Sequence, residues 1–150
     1  MTEKQKVKTG SENKTKKTSD EAREMIKKET EMVENFLKGY VSNKRQLKME
    51  KYEAVMFGRK RGVDEVWYGE PQKARERMDR VHDFVTEMDN GEEKLFLYFH
   101  YVRGESIEKC AELLGISRST AFRLRKRALG AALVRAKTLG DIIPELQASG

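Results

Sequence analysis

Apolar side chains return at helical intervals between residues 20 and 57, where Met25, Ile26, Met32, Val33, Phe36, Leu37, Tyr40, Val41 and Leu47 fall on one side of a 3.6-residue period. One lane keeps strict seven-residue spacing through Ile26, Val33, Tyr40, Leu47 and Ala54. Its companion lane fails, because Glu29, Asn43 and Glu50 stand where a coiled coil wants apolar residues. The pattern therefore predicts a long amphipathic helix over 19–57 that packs on its own protein or joins two copies as a homodimer. Ser19 or Asp20 is the expected N-cap, with acids following in the first turn, and Gly39 and Asn43 are the expected weak points.

The pattern is interrupted twice. Residues 1–18 carry only Met1 and Val7 as apolar side chains and read as a disordered basic arm, too polar to offset the entropy of ordering. Residues 58–71, with three glycines, Pro71 and the triplet Arg59, Lys60, Arg61, read as a linker, onto which Trp67 and Tyr68 serve as anchors. A helix is then expected from Pro71, with Ala74, Met78, Val81, Val85 and Met88 on one face, His82 beside it and "DNG" as its stop. The next segment opens with Glu92 and Glu93, sets Leu95, Phe96, Phe99 and Val102 on one flank, and ends at Gly104. Together these elements give an all-α helical bundle.

Residues 106–129 hold the most specific arrangement in the chain, that of a helix-turn-helix. Ser106 caps the first helix, Ala111 is small where two helices would touch, and Gly115 supplies a turn position with positive φ. Ile107, Cys110, Leu114 and Ile116 form the inner side up to the turn. Ser117 caps the second helix, whose inward set is Ala121, Leu124 and Ala128. Its outward face would present Arg118, Ser119, Phe122, Arg123 and Lys126, with Thr120 in the first turn and Arg125 and Arg127 on the flanks. Such groups suit a major groove: a guanidinium can donate two hydrogen bonds to guanine, a hydroxyl can serve either base, and an aromatic ring can lie on a thymine methyl. The N–H groups at the helix start suit phosphate.

Charge sharpens the picture. The 150-residue chain has 31 Lys and Arg against 25 Asp and Glu, a net charge of +6, and a mean hydropathy of −0.80. Residues 103–137 alone carry nine bases and three acids, which equals the whole net charge, and residues 117–137 carry seven bases and no acid. A helix face of one sign matches a phosphate backbone better than a mixed solvated face does. The remaining chemistry is sparse. One cysteine, Cys110, and two histidines, His82 and His100, fit neither a zinc site nor a disulfide framework. No nucleophile has a partner in a familiar catalytic motif and no glycine-rich phosphate loop is present, so neither catalysis nor a cofactor or metal is expected. With no apolar run long enough for a bilayer, a cytoplasmic location without membrane contact is expected.

The stretch "EEKLFLYFHYVRGESIEKCAELLGISRSTAFRLRKRAL" resembles the promoter-binding C-terminal domain of bacterial sigma factors, their fourth conserved region. The upstream helices do not resemble the sigma segments that melt the promoter or bind core polymerase. The layout as a whole is similar to small phage late-gene regulators of the ArpU and RinA type. The resemblance implies control of late genes for packaging, morphogenesis or lysis, acting on a double-stranded promoter or operator with the host RNA polymerase. By analogy with the sigma domain, Arg118, Ser119, Phe122, Arg123 and Lys126 would contact bases or phosphates; Ser117, Thr120, Arg125 and Arg127 complete the expected DNA-binding set, and Arg59, Lys60, Arg61 and Arg103 are the candidate accessory contacts. The resemblance leaves Leu95, Phe96 and Phe99 either gripping polymerase or filling the core. Ala121 departs from the β-branched residue common there in sigma domains and implies looser helix packing. Two rival functions fit the same pattern: a small terminase subunit that recognises phage DNA for packaging, and a sigma mimic that binds polymerase as a protein module. The segment after Gly140, with Ile142, Ile143 and Leu146 around Pro144, forms a tail of 141–150 that is either a docking peg or a frayed end.

Overall fold

The computed structural model describes the backbone of residues 2–57 and 65–148 and the side chains of 18–57 and 71–146. The fold is all-α, with no strand among the described residues. The long helix α1 (Thr2–Phe57) spans about 84 Å at 1.5 Å per residue. It begins at Thr2 instead of Ser19, so neither Ser19 nor Asp20 acts as a cap, and the first stretch is helix where a disordered arm was expected. Lys, Glu and Gln are good helix formers, no proline interrupts the segment, and extending a helix costs far less than nucleating one. The accessory triplet Arg59, Lys60 and Arg61 lies outside the described residues, and so do the side chains of Trp67 and Tyr68.

Neither weak point breaks α1. Asn43 is buried, and its Nδ2 donates to the Gly39 carbonyl at 2.6 Å, which satisfies its amide inside the packed face. Of the three polar residues that spoil the companion lane, Glu29 and Asn43 are buried and Glu50 is partly exposed, whereas Met25 and Ile26 are exposed. Val33 and Leu37 are the fully buried apolar residues of α1, with Met32, Phe36 and Tyr40 packed partly against the same core.

Helix α2 (Glu65–Thr86) starts six residues before the expected Pro71 and keeps that proline inside. Proline's fixed φ is compatible with helix, but Pro71 is the seventh residue and removes one i to i−4 hydrogen bond from its second turn. Ala74, Val81, Val85 and Met88 are buried as their spacing predicts; Phe84 joins them and meets Phe36 of α1 edge to face at 5.4 Å between ring centroids.

Helix α3 (Glu92–Leu97) opens into a π-helical turn (Tyr98–Val102), closed by the Arg103 N–H donating to Tyr98 O at 2.9 Å. The wider turn changes which side chains point inward. Phe96, Leu97, Tyr101 and Val102 are buried, while Leu95, expected on the inner flank, is 47% exposed. Gly104 follows at φ 74°, and His100 Nδ1 lies 2.7 Å from the Glu105 carbonyl, tying down the loop.

Helices α4 (Ile107–Leu114) and α5 (Arg118–Leu139) are joined by Gly115, Ile116 and Ser117. Gly115 takes φ 67° and ψ 35°, and the Ile116 N–H reaches back to Ala111 O at 2.9 Å, a hydrogen-bonded helix end that suits glycine. Ala121, Ala128, Ala132 and Ala136 line the fully buried side of α5 and let neighbouring helices approach closely. Leu146 of the last helix, α6 (Pro144–Ala148), and Ile143 just before it enter the same core, so this part of the tail packs on its own protein.

Candidate nucleic-acid interface

The start of α5 is built by local chemistry. Ser117 Oγ accepts the Thr120 N–H at 3.2 Å and also hydrogen-bonds the Thr120 hydroxyl at 2.8 Å, which commits Thr120 to the cap and leaves it half-buried. Ser106 caps α4 in the same way, accepting the Lys109 N–H at 3.1 Å. The N–H groups of Arg118 and Ser119 precede any intrahelical acceptor and open onto solvent, at the positive end of the helix dipole. Ala121, Leu124 and Ala128 turn inward. Ser119, Phe122, Arg123, Lys126 and Arg127 are exposed, Phe122 to 45%, with the Arg118 guanidinium 5.7 Å from its ring centroid.

The run of cations without acids in sequence is not unpaired in space. Arg118 meets Glu108 at 3.2 Å, Arg127 meets Glu92 at 3.4 Å, Arg125 bonds Glu34, Arg135 meets Glu87 at 3.7 Å, and Lys137 meets the buried Glu29 at 2.7 Å. Arg123 and Lys126 have no ionic or hydrogen-bond partner among the described residues. The pairs differ in kind. Those of Arg118 and Arg127 are open to water, where such bridges contribute about 0–1 kcal/mol, so a stronger anion can displace the carboxylate. Arg135 also donates to the Phe84 carbonyl at 3.1 Å and stacks on that ring, which makes it part of the packing.

Arg125, expected among the DNA contacts, is half-buried and already engaged within the protein. Its side chain turns toward α1, where Glu34 Oε2 also accepts the Tyr101 hydroxyl at 2.6 Å and Oε1 lies 3.4 Å from Lys38 Nζ. This cluster fastens α1 to the π turn and α5. Burial opposes ionisation of Glu34, but the Tyr101 hydrogen bond and the charges of Arg125 and Lys38 outweigh it and hold the carboxyl below its ordinary value. Burial first, then the bond to Glu34, pushes the Tyr101 hydroxyl well up. Because Glu34 ionises at lower pH in the folded chain than in the unfolded one, its ionised form favours folding. That contribution is complete above the ordinary 4.5 and is lost as pH falls through the lowered folded value. Glu34→Gln is therefore expected to flatten the fall of urea-unfolding stability below about pH 4.5, compared with the native chain.

The outlying candidates separate. Arg103 is paired with Glu105 at 3.7 Å and stacks on Phe99 at 5.6 Å, beside the α4 loop. Phe96 belongs to the core, Phe99 packs partly against it, and Leu95 faces solvent. Cys110 is buried, and burial followed by the charge of Glu105 raises its thiol pKa. The sequence pattern does not reveal Glu34, Glu92 and Glu108 as ion-pair partners of the α5 arginines, because each lies on another helix. The face that remains is compact: Arg118, Ser119, Phe122, Arg123, Lys126 and Arg127 on the first three turns of α5, with Ser117 holding its end. No protein-family model, curated protein or solved structure matched the chain in comparison.

Proposed function

We propose that this protein is a sequence-specific double-stranded DNA-binding regulator of transcription, with the first turns of α5 entering the major groove. The observation that carries the reading is the exposure of Phe122, Arg123 and Lys126 on one capped helix start, with the two cations lacking an acid partner among the described residues. The resemblance of α3–α5 to the promoter-binding domain of sigma factors supports promoter recognition with host RNA polymerase, and the similarity of the layout to small phage late-gene regulators supports a late-gene role. Selection from a random duplex library tests it. The expected outcome is enrichment of a defined site, with log affinity falling linearly in log salt at about 0.9 per phosphate contact. Absence of both an enriched sequence and salt-dependent duplex binding overturns it.

The acids paired with Arg118 and Arg127 compete with phosphate on this reading. Glu108→Gln together with Glu92→Gln is expected to tighten duplex binding by roughly 3- to 10-fold at low salt, since each releases a cation from an exposed bridge of up to about 1 kcal/mol. Fluorescence anisotropy with the selected duplex measures it; unchanged or weaker binding places those arginines outside the interface.

The outer end of α1 favours self-association: Met49, Tyr52 and Met56 are exposed at spacings of three and four residues. A dimer supports the regulator, whereas a ring of many subunits supports the small terminase reading, and mass in solution separates the two.

A further inference from the structure

A pocket of about 230 Å³ lies between α1, α2 and the segment leading to α6, lined by none of the α5 residues. Its polar lining is Arg77 and Arg80 of α2 with Asn35 and Asn43 of α1, and no acid lines it. Phe36 and Val81 give it an apolar floor, and Ile142 closes one side. Arg77 makes no ion pair or hydrogen bond among the described residues, while Arg80 makes only a long one, donating to the Asp141 carbonyl at 3.4 Å. Two guanidinium groups three residues apart on a helix share a face, so their charges converge instead of being cancelled locally. Guanidinium forks match the tetrahedral oxygens of phosphate and can each donate two hydrogen bonds to it. Asn43 spends one amide hydrogen on Gly39 O and keeps another to donate.

We infer that this pocket is a binding site for a phosphoryl group, held by Arg77 and Arg80 with carboxamide donors from α1. The site is separate from the proposed DNA-reading face and stands without it. A bound phosphate would bridge α1, α2 and the C-terminal segment, so it stabilises the folded chain by mass action.

The test uses the full chain, with inorganic phosphate and pyrophosphate as probes against chloride at equal ionic strength. The expected results are a phosphate-dependent rise in Tm, shifts of the Arg77, Arg80 and Asn43 amide signals in a nitrogen–proton correlation spectrum, and at least about 10-fold weaker binding in Arg77→Gln/Arg80→Gln. Both arginines are exposed, so that variant should fold; Arg77→Gln alone keeps the Arg80 bond to Asp141 and provides a second check. A rise equal in the double variant, or none in the native chain, overturns the inference. Given a site, its source follows from competition. If protein saturated with duplex still takes up phosphate, the ligand is a free phosphoryl compound; if the duplex blocks uptake and shifts the same signals, it is a backbone phosphate.

Discussion

Arg123→Ala combined with Lys126→Ala is expected to weaken binding to the selected duplex by roughly two orders of magnitude at low salt, with the fold intact. The magnitude follows from what each side chain can do. A guanidinium donating to a guanine edge is worth about 1–3 kcal/mol of discrimination, and an ammonium on phosphate contributes mainly through counterion release. These two cations need no internal rearrangement before meeting DNA, because neither is held by an acid among the described residues. For the same reason their removal leaves no orphaned carboxylate, and urea-unfolding stability should move by less than about 0.5 kcal/mol. The salt slope separates their roles: a side chain that neutralises one phosphate accounts for about 0.9 of it, whereas one that reads a base sets sequence preference at a single position. Arg125→Ala makes the contrast. It frees Glu34 and loosens α1, so its first effect should be on stability and only its second on DNA. Native affinity in the double variant would remove the α5 face from the interface.

The helix pair α4–α5 was legible because its determinants are local. Ser106, Gly115 and Ser117 act within three or four residues of themselves, and Ala111 and Ala121 state how close the helices come. The starts of α1 and α2 were not legible, since a cap-like serine or a proline is a preference that continued helix formation overrides. Charge was the hardest part. Counting along residues 117–137 finds no acid, yet Glu29, Glu34, Glu92 and Glu108 arrive from other helices and Glu87 from the turn after α2, and all but Glu108 come from outside the 103–137 window. The burial of Glu29 follows from the same cause: a carboxylate that spoils an apolar lane is tolerated inside when Lys137 comes to meet it. The consequence for the candidate site is a smaller one than the sequence implies, with Arg125 turned inward and Arg118 and Arg127 contested.

Phe96→Ala is expected to cost about 3–5 kcal/mol of unfolding free energy, and Leu95→Ala less than about 1 kcal/mol, though the two residues are neighbours and a 3.6-residue projection sets both on one flank. The difference comes from the π turn. An i to i−5 closure between Arg103 and Tyr98 adds a residue to the turn, so the inward positions become Phe96, Leu97, Tyr101 and Val102, and the residue before them swings out. Phe96 is fully buried, its ring 5.4 Å from that of His100, and truncation would leave a cavity under the helix that packs most closely on α5. Leu95 at 47% exposed loses little by truncation. Urea titrations with an unchanged m-value measure both effects as stability. The pair also resolves the two roles held open for this segment. A polymerase-docking role can be carried by Leu95, whose loss would reduce transcription while leaving stability and duplex affinity alone, but a Phe96 defect is a folding defect first. If instead Leu95→Ala unfolds the chain and Phe96→Ala does not, the π turn does not set the inward register of this segment.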